Sequence, residues 1–368
     1  MAPTPRPVLP DYGGACLDGV VSALSARPGS GRPGWLPAPA READQVVLLV
    51  LDGLGWEQLQ ERPALAPVLS SMEGGPITTV VPSTTATALT SLTTASPPAR
   101  HGVVGYRVRL DGDVVLNVLR WRSGEDPPAI EPAQLCAVAP FGGAAPPVVT
   151  RAEFARSGFS AVHLAGSPLV GWRVPSTLLV QVRRLLAAGE RFVYAYYDGV
   201  DKVAHEFGFG EAYDAELVAA DRLVADLIDA LPTGAAAVVV SDHGQVEVGE
   251  QVVALDPAVA PFVEMLSGEG RFRWLHASAG RVGELESAVR ARYADDAWVA
   301  TRQQAVEQGW FGGRLSPEVA ARLGDVVIAP HRPMAVLDPA DTGEMKLRCR
   351  HGSLTAAEMW VPLLAASG

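Results

Sequence analysis

Lysine is nearly absent from this chain. Lys202 and Lys346 are the only two in 368 residues, and arginine supplies the rest of the 30 basic side chains set against 41 acidic ones. With a formal net charge of −11 and no Lys/Arg cluster, the sequence lacks the basic face through which nucleic-acid binders neutralise phosphates, so no nucleic-acid partner is expected. Also missing is any run near the roughly 18–20 apolar residues that cross a bilayer, so no membrane partner is expected. The proline-studded start, MAPTPRPVLPDYGG, has no apolar stretch of the kind a secretory signal carries. Cysteine is scarce: Cys16, Cys136 and Cys349 are odd in number, far apart and without a CxxC pair. That usage fits reduced thiols in a cytoplasmic protein better than a disulfide framework. An anionic substrate would have to be drawn in by local cations, because the global field is negative.

What the chain does have is apolar mass, 48% of residues with a mean hydropathy of +0.15. That is enough for a large core and unlike a disordered chain. Residues 1–40, rich in Pro and Gly, read as an extended lead-in; residues 41–368 read as the main domain. Val46 to Leu51 is an unbroken apolar run stopped by Asp52-Gly53, the pattern of a strand buried on both faces. Ile77 to Val81 is a second, ended by Pro82, and a helix is expected from Ser83, as N-cap, to about Thr94. Tyr106 to Leu110 and Asp113 to Val118, around Asp111-Gly112, predict a β-hairpin. Further strands are expected at 192–197 and 235–240, with a helix between them over 212–231. Residues 255–322 read as a smaller inserted α+β subdomain. Alternating strands and helices predict a doubly wound α/β sheet.

Three of the buried strands end in acids: Asp52, Asp198 with Asp201 just beyond it, and Asp242-His243. Taken singly, strand-Asp-Gly is an ordinary turn, and an Asp-His pair is as often structural as functional. Together they would open on one carboxyl edge of one sheet, where α/β folds bind ligands. If 201–205 is helical, Asp201 and His205 lie one turn apart on one face and can grip a single ion. His351, in Arg350-His351-Gly352-Ser353, is by itself a loop histidine; His101, His163, His276 and His331 are assigned no metal role.

The ordered set Asp52, the threonine-rich helix start at 83–87, Asp201-xxx-His205, Asp242-His243 and His351 resembles the alkaline phosphatase superfamily. It is most similar to the type I phosphodiesterase/nucleotide pyrophosphatase branch, over about residues 45–365. The resemblance implies an alkaline-phosphatase-like core and a phosphate-ester hydrolase. It also implies two divalent metal ions, one held by Asp201, His205 and His351, the other by Asp52, Asp242, His243 and the nucleophile. Mixed Asp/His sets suit Zn²⁺, with Mn²⁺ or Fe as alternatives. Two such ions roughly 4 Å apart can clamp the attacking and leaving oxygens of an in-line displacement.

In relatives the nucleophile is found by counting back from a Thr shortly before a Pro and a His-Gly. Here that Thr is Thr94, before Pro98 and His101-Gly102, and the count lands on Thr85, with Thr84 the second choice. A first-turn position brings free N–H groups and a helix dipole to a phosphate. One departure stands out. Where diesterases of this branch carry an Asn just after the His-Gly, this chain has Tyr106, so Tyr106 and Arg107, with Arg109 or Asn117 behind them, become the substrate-binding candidates. The expected substrate is a small phosphorylated molecule, a nucleotide among the candidates, cleaved as a diester through a phosphothreonine intermediate. The alternatives are a phosphomonoesterase with the same site, its extra charge clamped by Arg107, and a non-catalytic metal-binding relative. No C/S-x-P-x-R sulfatase setting is present, and no second phosphosugar motif speaks for a mutase.

Overall fold

The computed structural model describes residues 5–29, 31–111, 114–124, 130–343 and 346–368. Its strands begin with β1 (Gln45–Leu51), β2 (Glu73–Thr78), β3 (Arg107–Leu110), β4 (Val114–Asn117), β5 (Val148–Arg151), β6 (Leu169–Trp172), β7 (Phe192–Tyr197) and β8 (Ala235–Val240). The main sheet has seven strands in the order β2, the C-terminal strand Trp360–Ser367, β8, β1, β7, β5, β6. The five strands from β8 to β6 are mutually parallel, while Trp360–Ser367 runs antiparallel to both β8 and β2. The expected α/β class is the observed one.

β1 is central because both its faces are apolar. Val46, Leu48 and Val50 point to one layer, with Leu17, Val20, Leu24, Ala86, Leu89 and Leu92. Val47, Leu49 and Leu51 point to the other, with Leu178, Val182, Leu217, Val224 and Leu227. Strand alternation thus divides one continuous apolar run between two helical layers. The parallel register Val46↔Phe192 to Leu51↔Tyr197 and Val46↔Ala236 to Val50↔Val240 brings the ends of β1, β7 and β8 out together. That shared edge carries Asp52, Asp198 and Asp242.

The helix Thr85–Thr94 is buried along its whole length despite five threonines and a serine. Three of its hydroxyls back-bond, Thr90 to the Ala86 carbonyl (2.7 Å), Thr93 to Leu89 (2.9 Å) and Thr94 to Thr90 (2.6 Å), while Thr85 and Ser91 meet histidines and Thr87 Oγ1 has no partner among the described residues. It ends at Ala95, which is left-handed at φ 48°. The N-cap is Thr84, not the expected Ser83. Ser83 is spent elsewhere, its Oγ donating to the Ser353 carbonyl at 2.7 Å. β2 stops at Thr78, short of the expected Val81, as the chain leaves the sheet toward a cis Val81–Pro82 bond.

One further sequence expectation changes. Among the described residues before 41, the chain is not all extended: Leu17–Ser25 is a helix that buries Leu17, Val20, Val21 and Leu24 at helical spacing. Flanking prolines and glycines hide that short stripe. Beyond β8, a four-stranded antiparallel sheet orders Val263–Glu269, Phe272–Ala277, Val326–Pro330 and Ala297–Thr301 side by side. Its outer face packs a small core with Leu285 and Val289 of the helix Val282–Tyr293. The inner face, with Phe272, Trp274 and Val327, joins the main core. β3 and β4 form the expected hairpin, with Gly112 and Asp113 of its turn outside the described residues.

Candidate active site

Two clusters of ligand-type side chains meet at the carboxyl edge of the sheet. Asp52, Asp242 and His243 form one and are fully buried; Asp201, His205 and His351 form the other and are partly buried. Within each, the ligand atoms lie within 4.8 Å of one another. The rings of His243 and His351 stack across the two clusters at 3.6 Å. All six residues singled out in the sequence are therefore brought together.

Local structure explains each position. Asp52 and Asp242 end neighbouring parallel strands. Asp242 Oδ1 accepts from the N–H groups of Gly53 and His243, both at 3.1 Å, so its orientation is fixed by backbone. Gly53 (φ 73°) must be glycine for two reasons: a Cβ there would stand 2.5 Å from Gln245 Nε2 and 2.8 Å from Asp201 Cβ. Asp201 and His205 occupy the helix Gly199–Phe207, and one turn sets Asp201 Oδ1 3.2 Å from His205 Nε2. His351 arrives after the short strand Cys349–Arg350, which pairs with Val246–Glu247. Its loop is clamped to the residues before Thr85: Gly352 N–H donates to Ser83 Oγ at 3.2 Å, and Ser83 Oγ donates on to Ser353.

The three imidazoles share one device. His205 Nδ1 donates to the Cys349 carbonyl (2.7 Å), His243 Nδ1 to that of Gly244 (3.1 Å) and His351 Nδ1 to that of Ser83 (3.0 Å). The proton on Nδ1 leaves each Nε2 with its lone pair turned into the site. His243 Nε2 then lies 3.1 Å from Thr85 Oγ1, 3.5 Å from Asp52 Oδ1 and 3.4 Å from Asp242 Oδ2. Asp52 Oδ1 and Asp242 Oδ2 are buried with no hydrogen-bond donor among the described residues. An imidazole lone pair and two carboxylate oxygens converging without a donor repel one another, unless a cation sits between them. The residues fit a metal ion.

Electrostatics agree. Burial, then the charges of Asp242 and Asp201, push the Asp52 carboxyl well above the usual carboxylate range. Burial raises Asp201 too, opposed by His205 and His243. Burial, and after it the neighbouring His243 and His351's other partner His205, press His351 well below the ordinary imidazole value. Each shift marks a charge the protein alone leaves uncompensated.

Thr85 Oγ1 stands at the junction of two cavities. One, of ≈190 Å³, is walled by Leu89, Phe154, Phe159, Tyr194 and Tyr196, with Leu119 at its rim. The other, of ≈240 Å³, is lined by Thr84, Tyr106, Leu119, Arg120, His205, Arg350 and His351. Tyr106 therefore lies at the site, its hydroxyl accepting from Asn117 Nδ2 at 2.6 Å. Arg107 does not. Its guanidinium is buried in an ion pair with Asp338 and lines a different cleft, which corrects its assignment as a substrate-binding residue.

Several contributors escaped the sequence. Tyr196 donates to Asp52 Oδ2, and Gln245 Nε2 donates to Asp201 Oδ1 at 3.1 Å. Glu358, wholly buried, accepts the Ser353 N–H (3.0 Å) and a two-pronged grip from Arg271, Nε at 2.7 Å and Nη2 at 2.8 Å. That pair ties the small sheet to the His351 loop. Strand alternation could have placed Tyr196 on the same face as Tyr194; no local signal marks Arg271 or Glu358.

A mostly parallel sheet between helices, with these Asp and His side chains at its carboxyl edge, defines an alkaline-phosphatase-like hydrolase. Residues 46–354 match the Type I phosphodiesterase / nucleotide pyrophosphatase family, and the chain belongs to it. It is accordingly a hydrolase of phosphoric ester or phosphoanhydride bonds. The fold is similar to that of murine ectonucleotide pyrophosphatase / phosphodiesterase 5, at TM-score 0.68 and 14% identity over 88% of each chain. An inactive threonine-to-alanine variant of the murine protein in complex with AMP superposes at TM-score 0.67 and 13% identity, over 88% of each chain. The human counterpart gives 0.66 and 14%, with 88% of each chain covered. No curated protein matches significantly.

Proposed function

We propose that the protein is a two-metal phosphodiesterase or nucleotide pyrophosphatase with Thr85 as nucleophile. The observation that carries this reading is the position of Thr85 Oγ1, 3.1 Å from His243 Nε2 and beside donor-free oxygens of Asp52 and Asp242. Asp52, Asp242, His243 and Thr85 would hold one divalent cation; Asp201, His205 and His351 the other. Zn²⁺ suits these Asp/His sets best, Mn²⁺ or Fe less well. When bound, such ions supply Lewis acidity, lowering the hydroxyl pKa and neutralising phosphate charge.

The chain's own residues do the rest. Thr85 lies in the first turn of its helix, whose unpaired N–H groups and dipole favour a phosphate. Thr85 Oγ gives up its proton to solvent and forms a bond to phosphorus as the ester oxygen opposite it leaves with the bonding pair and takes up a proton from water. Water then cleaves the phosphothreonine, restoring the hydroxyl and releasing the phosphorylated product. Tyr106 faces the cavity where relatives place an Asn, and the aromatic cavity beside Asp52 gives the organic part of the substrate a dry seat. A small nucleotide suits that seat, and the AMP held by the murine neighbour supports it. A diester is favoured over a monoester by the family the chain belongs to, and Arg107, the cation named for the monoester reading, is committed to Asp338.

Metal analysis of the purified protein should find about two transition-metal ions per chain. Hydrolysis of bis-p-nitrophenyl phosphate should fall by roughly 10³-fold or more in Thr85→Ala and persist in Thr84→Ala. Metal-replete protein that cleaves neither that diester nor p-nitrophenyl phosphate would sink the reading.

A further inference from the structure

The two cavities that meet at Thr85 differ in charge. The smaller is walled by aromatic and aliphatic side chains and bordered by the carboxylates of Asp52, Asp198 and Asp201, with Lys202 paired to Asp198 at 2.6 Å, so it suits an uncharged organic group. The larger carries Arg120 and Arg350 alongside Asp201 and Glu269. Leu119 lines both, so the Leu119–Arg120 step just past β4 stands at the partition between them.

Arg120 is set for a ligand by its backbone and left available by its side chain. Its N–H donates to Asn117 Oδ1 at 2.9 Å, and Asn117 N–H in turn donates to the Arg122 carbonyl at 2.8 Å, so the residue sits in a turn stapled to the hairpin. Arginines near the sheet edge are committed, Arg151 to Asp198 (2.6 Å) and Arg271 to Glu358 (2.7 Å), and Arg350 shares the cavity with Arg120. The Arg120 guanidinium has no hydrogen bond or ion pair among the described residues. Beside it runs Gly343, where a Cβ would come within 2.7 Å of Arg120 Nη2, so a missing side chain makes room for the group. In a chain of net charge −11, an uncommitted guanidinium at the mouth of a phosphate site is a specific attraction in a repelling field. Its planar fork matches a phosphate bidentately.

We infer that Arg120 is a specificity-determining residue that binds a second phosphate carried beyond the scissile one. Resting on the phosphodiesterase reading above, this orients the substrate: organic group in the aromatic cavity, scissile phosphorus at Thr85, further phosphate against Arg120. The preferred class is then a phosphoanhydride or other ester with an anionic leaving side.

The test compares ATP, cleaved at its α-phosphate to AMP and pyrophosphate, with bis-p-nitrophenyl phosphate, which has no second phosphate. Arg120→Ala should lower the ratio of kcat/KM for ATP to that for the diester by about tenfold or more, the size of one lost charge-assisted hydrogen bond. The loss should lie in KM more than kcat, and Arg120→Lys should recover part of it. An unchanged ratio, whether both rates fall together or neither moves, overturns the inference while leaving the phosphodiesterase reading intact. Wild-type protein inactive on both substrates overturns that reading and the inference with it.

Discussion

The phenol of Tyr196 donates to Asp52 Oδ2, so that Oδ1 alone is left facing His243 Nε2, 3.5 Å away. A tyrosine on β7 thereby fixes how a carboxylate at the end of β1 presents itself. Tyr196→Phe removes that restraint and leaves Oδ2 buried without a donor. The expected result is a 10- to 100-fold weaker hold on metal, roughly the usual effect of losing a partner of a ligand. Titration of metal-stripped protein reads this directly, and an unchanged affinity would show the contact to be ornamental.

Arg271 and Glu358 form a buried ion pair that also fixes the Ser353 N–H beside His351. Removing one partner strands the other charge. Arg271→Met should therefore cost about 3–5 kcal/mol of unfolding free energy, seen as a lower denaturation midpoint. Arg271→Met with Glu358→Leu should cost less than the single change; equal or greater loss would disprove the stranded-charge account.

His101 gives a pH dependence. Its Nδ1 accepts from the Val103 N–H (3.0 Å) and its Nε2 meets Ser91 Oγ (2.7 Å), so the folded state holds it neutral. Burial, then Arg322, depress its pKa to about 3. The unfolded chain takes up a proton near pH 6.5, which the native state refuses. Stability is thus fully present above pH 6.5 and drains away as pH falls toward 3. By pH 5 the loss is about 2 kcal/mol. Denaturant unfolding at pH 7.5 and pH 5 should show a drop about 2 kcal/mol smaller in His101→Gln than in wild type, the remainder including buried His163, whose pKa is held down to about 4.

Metal should stabilise the fold as well as serve the chemistry. Each tenfold rise in free Zn²⁺ above the dissociation constant should add about 1.4 kcal/mol to unfolding of the chelator-treated protein. Asp242→Asn should flatten that response. A melting temperature indifferent to Zn²⁺ in the wild type would refute metal binding at these clusters.

The legible part of this site was the part written in local spacing. Asp201 and His205 lie one helical turn apart, and Asp52 and Asp242-His243 follow unbroken apolar strands. His351 had no local pattern and entered only through its order in the chain. Arg107 is not legible because its partner Asp338 is 231 residues away, on a loop whose approach no periodicity announces. Tyr196 is hidden for the same reason, being 144 residues from Asp52. The Leu17–Ser25 helix leaves little trace in the sequence because its apolar stripe is short and set among prolines and glycines. Side-chain partnerships across the sheet are tertiary facts, and residue order carries them only faintly.

The three carbonyl-anchored imidazoles have a consequence for exchange. Since the main chain at Cys349, Gly244 and Ser83 already dictates where each ring proton resides, no histidine has to shed a proton when one ion replaces another. A swap of Zn²⁺ for Mn²⁺ would then be proton-silent at the rings, and the balance between them would follow the ions' own coordination appetites and the cell's supply.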